Sequence, residues 1–139
     1  MTEHPQRDGH HADVAVMSLA FAVRIVRTVN TLPRSTAAIE LGRQIVRSGT
    51  SIGANVQEAQ GARTRAEFLN SMSIAKREAR ETCYWVRVLG ETSLLKRECA
   101  NELLGEADRL VKVLTAIVKT TQERSSASGG RGASITHNP

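Results

Sequence analysis

From Phe68 onward, small and apolar residues recur at alternating spacings of four and three: Phe68, Met72, Ala75, Ala79, Thr82, Val86, Leu89. A strand, with its period of two, cannot place these side chains on one face, whereas an α-helix does so along a single seam. The mean spacing near 3.5 is that of left-handed helical bundles, so the stripe calls for partner helices. The chain supplies them. Leu103, Ala107, Leu110, Leu114 and Ile117 repeat the alternation, widened by Leu104, Val111 and Val118; Val14, Met17, Phe21, Ile25 and Val29 form a stripe upstream. Leu41, Ile45, Ile52, Val56 and Ala59, with Ser48 completing the spacing, form another.

Start and stop signals separate the four stripes. Asp13 stands where an N-cap belongs, and Pro33 ends the first helix because the residue before a proline is pushed out of the α region. Ser35 or Thr36 can cap the second helix, and Gly61 marks its end. Thr64 followed by Glu67 is a capping-box pattern, Gly90 suits the position after a helix end, and Glu91-Thr92-Ser93 makes a short turn. The expected helices are about 13–31, 36–61, 64–89 and 94–123. Aromatic residues are only 3% of the chain, so Leu, Ile, Val and Ala must build the core. The fold class predicted is all-α, an antiparallel up-down four-helix bundle spanning 13–123. Residues 1–12, polar and broken by Pro5 and Gly9, read as a flexible N-terminal arm. Residues 124–139 read as a disordered Ser/Gly-rich basic tail.

Several function classes are disfavoured. The uncharged stretch Val14–Val23 is about half of the ~20 residues a membrane-spanning helix needs, so no membrane role is expected. The N-terminus lacks the basic-then-apolar order of a signal peptide. Cys83 and Cys99 are isolated thiols, which suits a reducing cytoplasm. His4, His10, His11 and His137 lie near the ends, and there is no GxSxG, HExxH, P-loop or GxGxxG. The expectation is a protein that is not an enzyme and has no catalytic residue, no metal and no cofactor.

The net charge of +5 is concentrated: residues 32–90 hold nine basic and five acidic groups, and residues 91–123 five and six. Lys76, Arg77, Arg80 and Arg87 share roughly one face of the third helix, with Arg43 and Arg47 one turn apart on the second. Such a stripe can track phosphates, so these six are the nucleic-acid-binding candidates. The same spacing also suits a solvated face with Arg77–Glu81 and Arg87–Glu91 pairs. Few aromatics favour backbone-directed binding over base stacking. Arg47, Ser51, Asn55 and Glu58 form a polar stripe, either a pocket or a buried hydrogen-bond network between helices or subunits. Glu78 and Glu81 sit one turn apart, but no nearby His completes a helical di-metal site, and Arg77 and Arg80 are placed to neutralise them. Gly42, Gly49 and Gly53 lie along one side of the second helix, each costing about 1 kcal/mol relative to Ala. Close approach of another helix offsets this, or a bend at Ser48-Gly49-Thr50 explains it. Adjacent Tyr84 and Trp85 point about 100° apart, so one of them is expected to cover a neighbouring helix or subunit.

The run Arg47-Ser48-Gly49-Thr50-Ser51-Ile52-Gly53-Ala54-Asn55-Val56-Gln57-Glu58-Ala59 resembles the signature segment of the four-helix-bundle family known as the 23S ribosomal RNA intervening-sequence proteins. Phe68 and the block Ala75-Lys76-Arg77-Glu78-Ala79-Arg80-Glu81-Thr82-Cys83-Tyr84-Trp85 resemble the third helix of one branch, and the likeness spans roughly 13–120. The resemblance implies an antiparallel bundle assembling into a ring, usually a homopentamer. It gives Gly49, Gly53, Tyr84 and Trp85 a use at subunit contacts. Arg47, Asn55, Glu58 and Glu81 match the family motif as structural residues. A related branch, whose signature is less like this chain, is the accessory protein of diversity-generating retroelements, a basic pentameric barrel that partners a reverse transcriptase and binds nucleic acid.

Three functional expectations follow. One is a non-catalytic, cytoplasmic, oligomeric bundle that acts as a basic scaffold, holding RNA or DNA through phosphates or a nucleoprotein partner. Another is the accessory role beside a reverse transcriptase. The third is a protein–protein interaction scaffold with no nucleic-acid role.

Overall fold

Four helices account for nearly all of residues 9–130, which are the residues described by the computed structural model. They are α1 (Gly9–Val29), α2 (Thr36–Gln60), α3 (Arg65–Glu91) and α4 (Arg97–Gly130), joined by short loops. Each packs on its sequence neighbour and α1 closes the square against α4; among the described residues the backbones of the diagonal pairs α1/α3 and α2/α4 stay apart. Short loops between neighbours force the up-down-up-down order. No helix of the described residues is long and apolar enough to cross a membrane.

The core is the four stripes brought face to face. Val14, Phe21, Ile25, Ile45, Ile52, Val56, Met72, Val86, Leu89, Leu103, Leu110 and Leu114 are all at most 2% exposed. The seam between α2 and α3 also holds a buried polar pair: the hydroxyls of Ser48 and Thr82 share a hydrogen bond of 2.9 Å, and Thr82 reaches the Glu78 carbonyl at 2.8 Å. Buried hydroxyls with partners are tolerated in such a seam and fix its register.

Caps follow the local chemistry. The Ser35 hydroxyl accepts from the Ala38 amide at 3.1 Å, which settles the choice between Ser35 and Thr36. Thr64 accepts from the Glu67 amide at 3.1 Å, while the Glu67 carboxylate turns back to the Arg63 amide at 2.9 Å. Three boundaries differ from expectation. Asp13 lies inside α1, which begins at Gly9, so the first helix is longer than its presumed cap allows. Gly90 is within α3; the left-handed residue after that helix is Ser93, at φ 58°, and the Leu95 amide returns to the Leu89 carbonyl at 3.1 Å. Gly90 instead lets α4 approach, since a Cβ there would stand 3.0 Å from that of Ala100. Finally, α4 runs to Gly130, through the first residues of the expected tail, and Ser125 donates to the Thr121 carbonyl at 3.0 Å. Residues 1–8 of the expected arm and 131–139 of the expected tail lie outside the described residues.

Candidate functional site

The glycines of α2 serve the first packing contact. A Cβ at Gly49 would lie 3.0 Å from Ile25 Cγ1, and one at Gly42 would lie 3.2 Å from Val29 Cγ1. At Gly53 a Cβ would meet Ser18, including its backbone carbon and oxygen at 3.5 Å. The missing side chains at Gly42 and Gly49 let α1 lie close on α2, and the dense contact offsets their helix cost, whereas a methyl at Gly53 would make only ordinary contact. Within one chain, Gly49 is buried and Gly53 half-buried beneath α1. A bend is unnecessary, since α2 runs unbroken through Ser48-Gly49-Thr50.

The polar stripe of α2 divides. Arg47 crosses to α3, where it pairs with Glu81 and lies 3.4 Å from Glu78. Ser51 bonds its own helix at the Arg47 carbonyl, 2.5 Å away, and Asn55 donates to the Ser51 carbonyl at 2.8 Å. Glu58 is exposed. The direct salt bridges of the Glu78/Glu81 pair run to Arg47, while the nearby Arg77 charge adds a smaller pull on Glu78. Burial and the neighbouring Glu81 charge push the Glu78 carboxyl above its ordinary value, against the opposing pull of Arg47 and, more weakly, Arg77. Trp85 joins the same cluster, donating from Nε1 to Glu81 Oε1 at 3.1 Å.

The basic candidates do not form one patch. Arg43 and Arg47 line a surface groove of about 620 Å³ beside Pro33, Arg34 and Ile39, between α2 and the end of α1. Lys76 is half-buried. Arg77, Arg80 and Arg87 stand exposed on the outer side of α3, and none has an ion pair with a described residue, so the Arg77–Glu81 and Arg87–Glu91 pairs do not form. Tyr84, 60% exposed, lies in the same row, while Trp85 is half-buried against the core. The two rings meet edge-on, with centroids 5.2 Å apart and planes at 66°.

Other chemistry is sparse. The Cys83 thiol, half-buried against α4 with Asp108 Oδ1 3.8 Å away, is pushed up to about 11 by burial and by that carboxylate, so it stays protonated and unreactive near neutral pH. Among the described residues no three His, Cys, Asp or Glu side chains gather as metal ligands.

One surface feature escaped the sequence-based expectation. Val16, Leu19, Val23 and Val26, at 70%, 64%, 40% and 43% exposure, form an apolar ridge along the outside of α1. Its signal was the same uncharged stretch Val14–Val23 that is too short for a membrane span: a helix apolar all round is one covered on both sides. Beside the ridge, Arg24 spans the thin α1/α4 seam to Glu106 and to Glu102, the latter at 3.3 Å.

Comparison with known proteins gives the lineage. A crystal structure of a protein of unknown function from the S23 ribosomal protein family of Bacteroides thetaiotaomicron matches with a TM-score of 0.75 and 40% identity, covering 79% of this chain and 98% of the other. A search of curated proteins finds no match. The family model for the 23S rRNA-intervening sequence protein matches residues 10–116, which include all of the α2 signature and the whole of α3. The chain belongs to the 23S rRNA-intervening sequence protein family.

Proposed function

We propose that this protein is a non-catalytic, self-associating basic scaffold that holds nucleic acid by its phosphates. The observation that carries this reading is the outer row of α3. Arg77, Arg80 and Arg87 are exposed and without ion pairs among the described residues, whereas the arginines at the helix seams, Arg24 and Arg47, are engaged with carboxylates. Exposed guanidinium groups without a salt bridge along one helix face suit phosphate oxygens and attract a polyanion from a distance. The α1 ridge supports self-association, since contiguous exposed aliphatic side chains gain free energy when a second copy covers them. As α1 and α3 are diagonal, copies joined through α1 keep their arginine rows exposed, and repetition of the row multiplies weak phosphate contacts.

The test is a salt titration of binding to duplex DNA and to structured RNA, with assembly mass measured in the same buffers. Affinity should fall linearly on a log–log plot. Replacing Arg77 and Arg80 by Gln should lower the slope by about one for each phosphate that is no longer neutralised. Absence of binding at low salt by an intact assembly would leave a scaffold for protein partners only.

A further inference from the structure

An aromatic ring is set into the basic row. Arg77, Arg80, Tyr84 and Arg87 follow one another at spacings of three, four and three, so at 3.6 residues per turn they fall within about 80° of the helix circumference. All four are exposed, on the side of α3 away from its buried stripe of Ala75, Ala79, Thr82 and Val86. From Arg77 to Arg87 the row spans roughly 15 Å at 1.5 Å per residue.

Tyr84 is held in place although it contributes little to the core. Its ring meets that of Trp85 edge-on at 5.2 Å. Trp85 in turn packs against the core and donates from Nε1 to Glu81, which Arg47 of α2 grips. Two helices therefore position a ring that remains 60% exposed, with guanidinium groups before and after it along the helix. Arginines alone would serve a duplex and a single strand alike, since both present phosphates. A duplex keeps its base faces stacked on one another and offers nothing to a tyrosine ring. An unpaired strand offers both phosphates and base faces.

We infer that this row is a site for single-stranded polynucleotide, in which Arg77, Arg80 and Arg87 take phosphates and Tyr84 stacks on an unpaired base. The site rests on the phosphate-scaffold reading above and narrows its ligand. It also revises the expectation of binding through the backbone alone: aromatics are few in this chain, but one of the four is exposed in the basic row. RNA and DNA strands share this chemistry.

The experiment compares labelled oligouridylate, oligothymidylate, an abasic strand and a duplex of equal length, by anisotropy and by the fluorescence of Trp85, the chain's single tryptophan. Full-length wild type, Tyr84→Phe, Tyr84→Ala and Arg80→Gln are used, with assembly mass measured for each. The strands with bases should bind more tightly than the abasic strand and the duplex and should change Trp85 emission. The relative strength of the uridylate and thymidylate arms identifies RNA or DNA as the preferred source. Tyr84→Ala should weaken binding of strands with bases by about 5- to 100-fold and leave the abasic strand and duplex unaffected. Tyr84→Phe should bind as wild type, and Arg80→Gln should weaken binding to every probe. If Tyr84→Ala binds single strands as wild type does while Arg80→Gln weakens all probes, the stacking site is overturned and the phosphate reading stands. A changed assembly mass in Tyr84→Ala would make the ring a subunit contact and also overturn the site. Equal binding and equal Trp85 response for duplex, abasic and base-bearing strands would do the same. Binding of none of the probes at low salt removes both proposals.

Discussion

The outer faces of α1 and α3 carry rows with the same three-four-three spacing and opposite chemistry. On α1 the row is Val16, Leu19, Val23 and Val26; on α3 it is Arg77, Arg80, Tyr84 and Arg87. Both lie opposite buried stripes, at diagonal corners of the bundle. Helical periodicity thus fixes where a row stands, and the residue types in it decide what the row is for. On α1 a second apolar stripe leaves free energy to be gained by covering it. On α3 the second stripe is charged, so covering it with anything but an anion would strand desolvated guanidinium groups.

The contrast within α1 is open to direct mutation. Ile25→Ala, beneath the helix, should cost about 2–5 kcal/mol in urea denaturation, whereas Val23→Ala on the ridge should stay within about 0.5 kcal/mol for the isolated chain. Adding Gly49→Ala to Ile25→Ala should return part of that stability, because the new methyl enters space that Ile25 fills and removes a helix-breaking glycine. Next in size is Leu19→Lys on the ridge. It should weaken self-association by about 1.5–3 kcal/mol for each Leu19 side chain that the interface covers, measured by sedimentation, with helix content unchanged. Ser48→Ala should cost about 0.5–1.5 kcal/mol by the same urea assay, since Thr82 keeps its bond to the Glu78 carbonyl.

The smallest effect is a pH dependence at the foot of the α3 row. The Glu78 carboxyl is raised above its ordinary value of 4.5, first by burial and then by Glu81. On acidification the native state takes up this proton before the unfolded chain does. The contribution is therefore fully present below 4.5 and is lost as pH rises through the raised value. Wild type should gain stability relative to Glu78→Gln between neutral pH and about 4.5, in parallel urea titrations. An unchanging difference would mean that Arg47 and Arg77 together fully compensate the burial.

Much of the scaffold was legible because its signals are local. The stripes of α3 and α4 needed only spacing, and Ser35 and Thr64 cap where short polar side chains meet the next amides. Contacts between helices were harder to read. Nothing in the spacing of Arg47 shows that it reaches Glu78 and Glu81 about thirty residues away, whereas sequence adjacency points to Arg77 and Arg80 and reveals only the weaker pull of Arg77. The glycines of α2 announced a close approach but not whether the approaching helix was α1 or another subunit. The residue type of Gly90 suggests a terminator, while its neighbour Ala100 is what requires it. The α1 ridge is hidden in the pattern because one good apolar stripe already accounts for the helix, and a second stripe adds no further periodicity.

The division between the two rows is tested most directly by salt titration of polynucleotide binding on wild type, Arg77→Gln/Arg80→Gln and Leu19→Lys, with assembly mass measured alongside. The α3 variant should keep its assembly, and its slope should fall by about one unit per phosphate left without its arginine, while Leu19→Lys should lose assembly and retain the salt dependence of each chain. Identical salt slopes for wild type and the α3 variant, both binding as intact assemblies, would contradict the account.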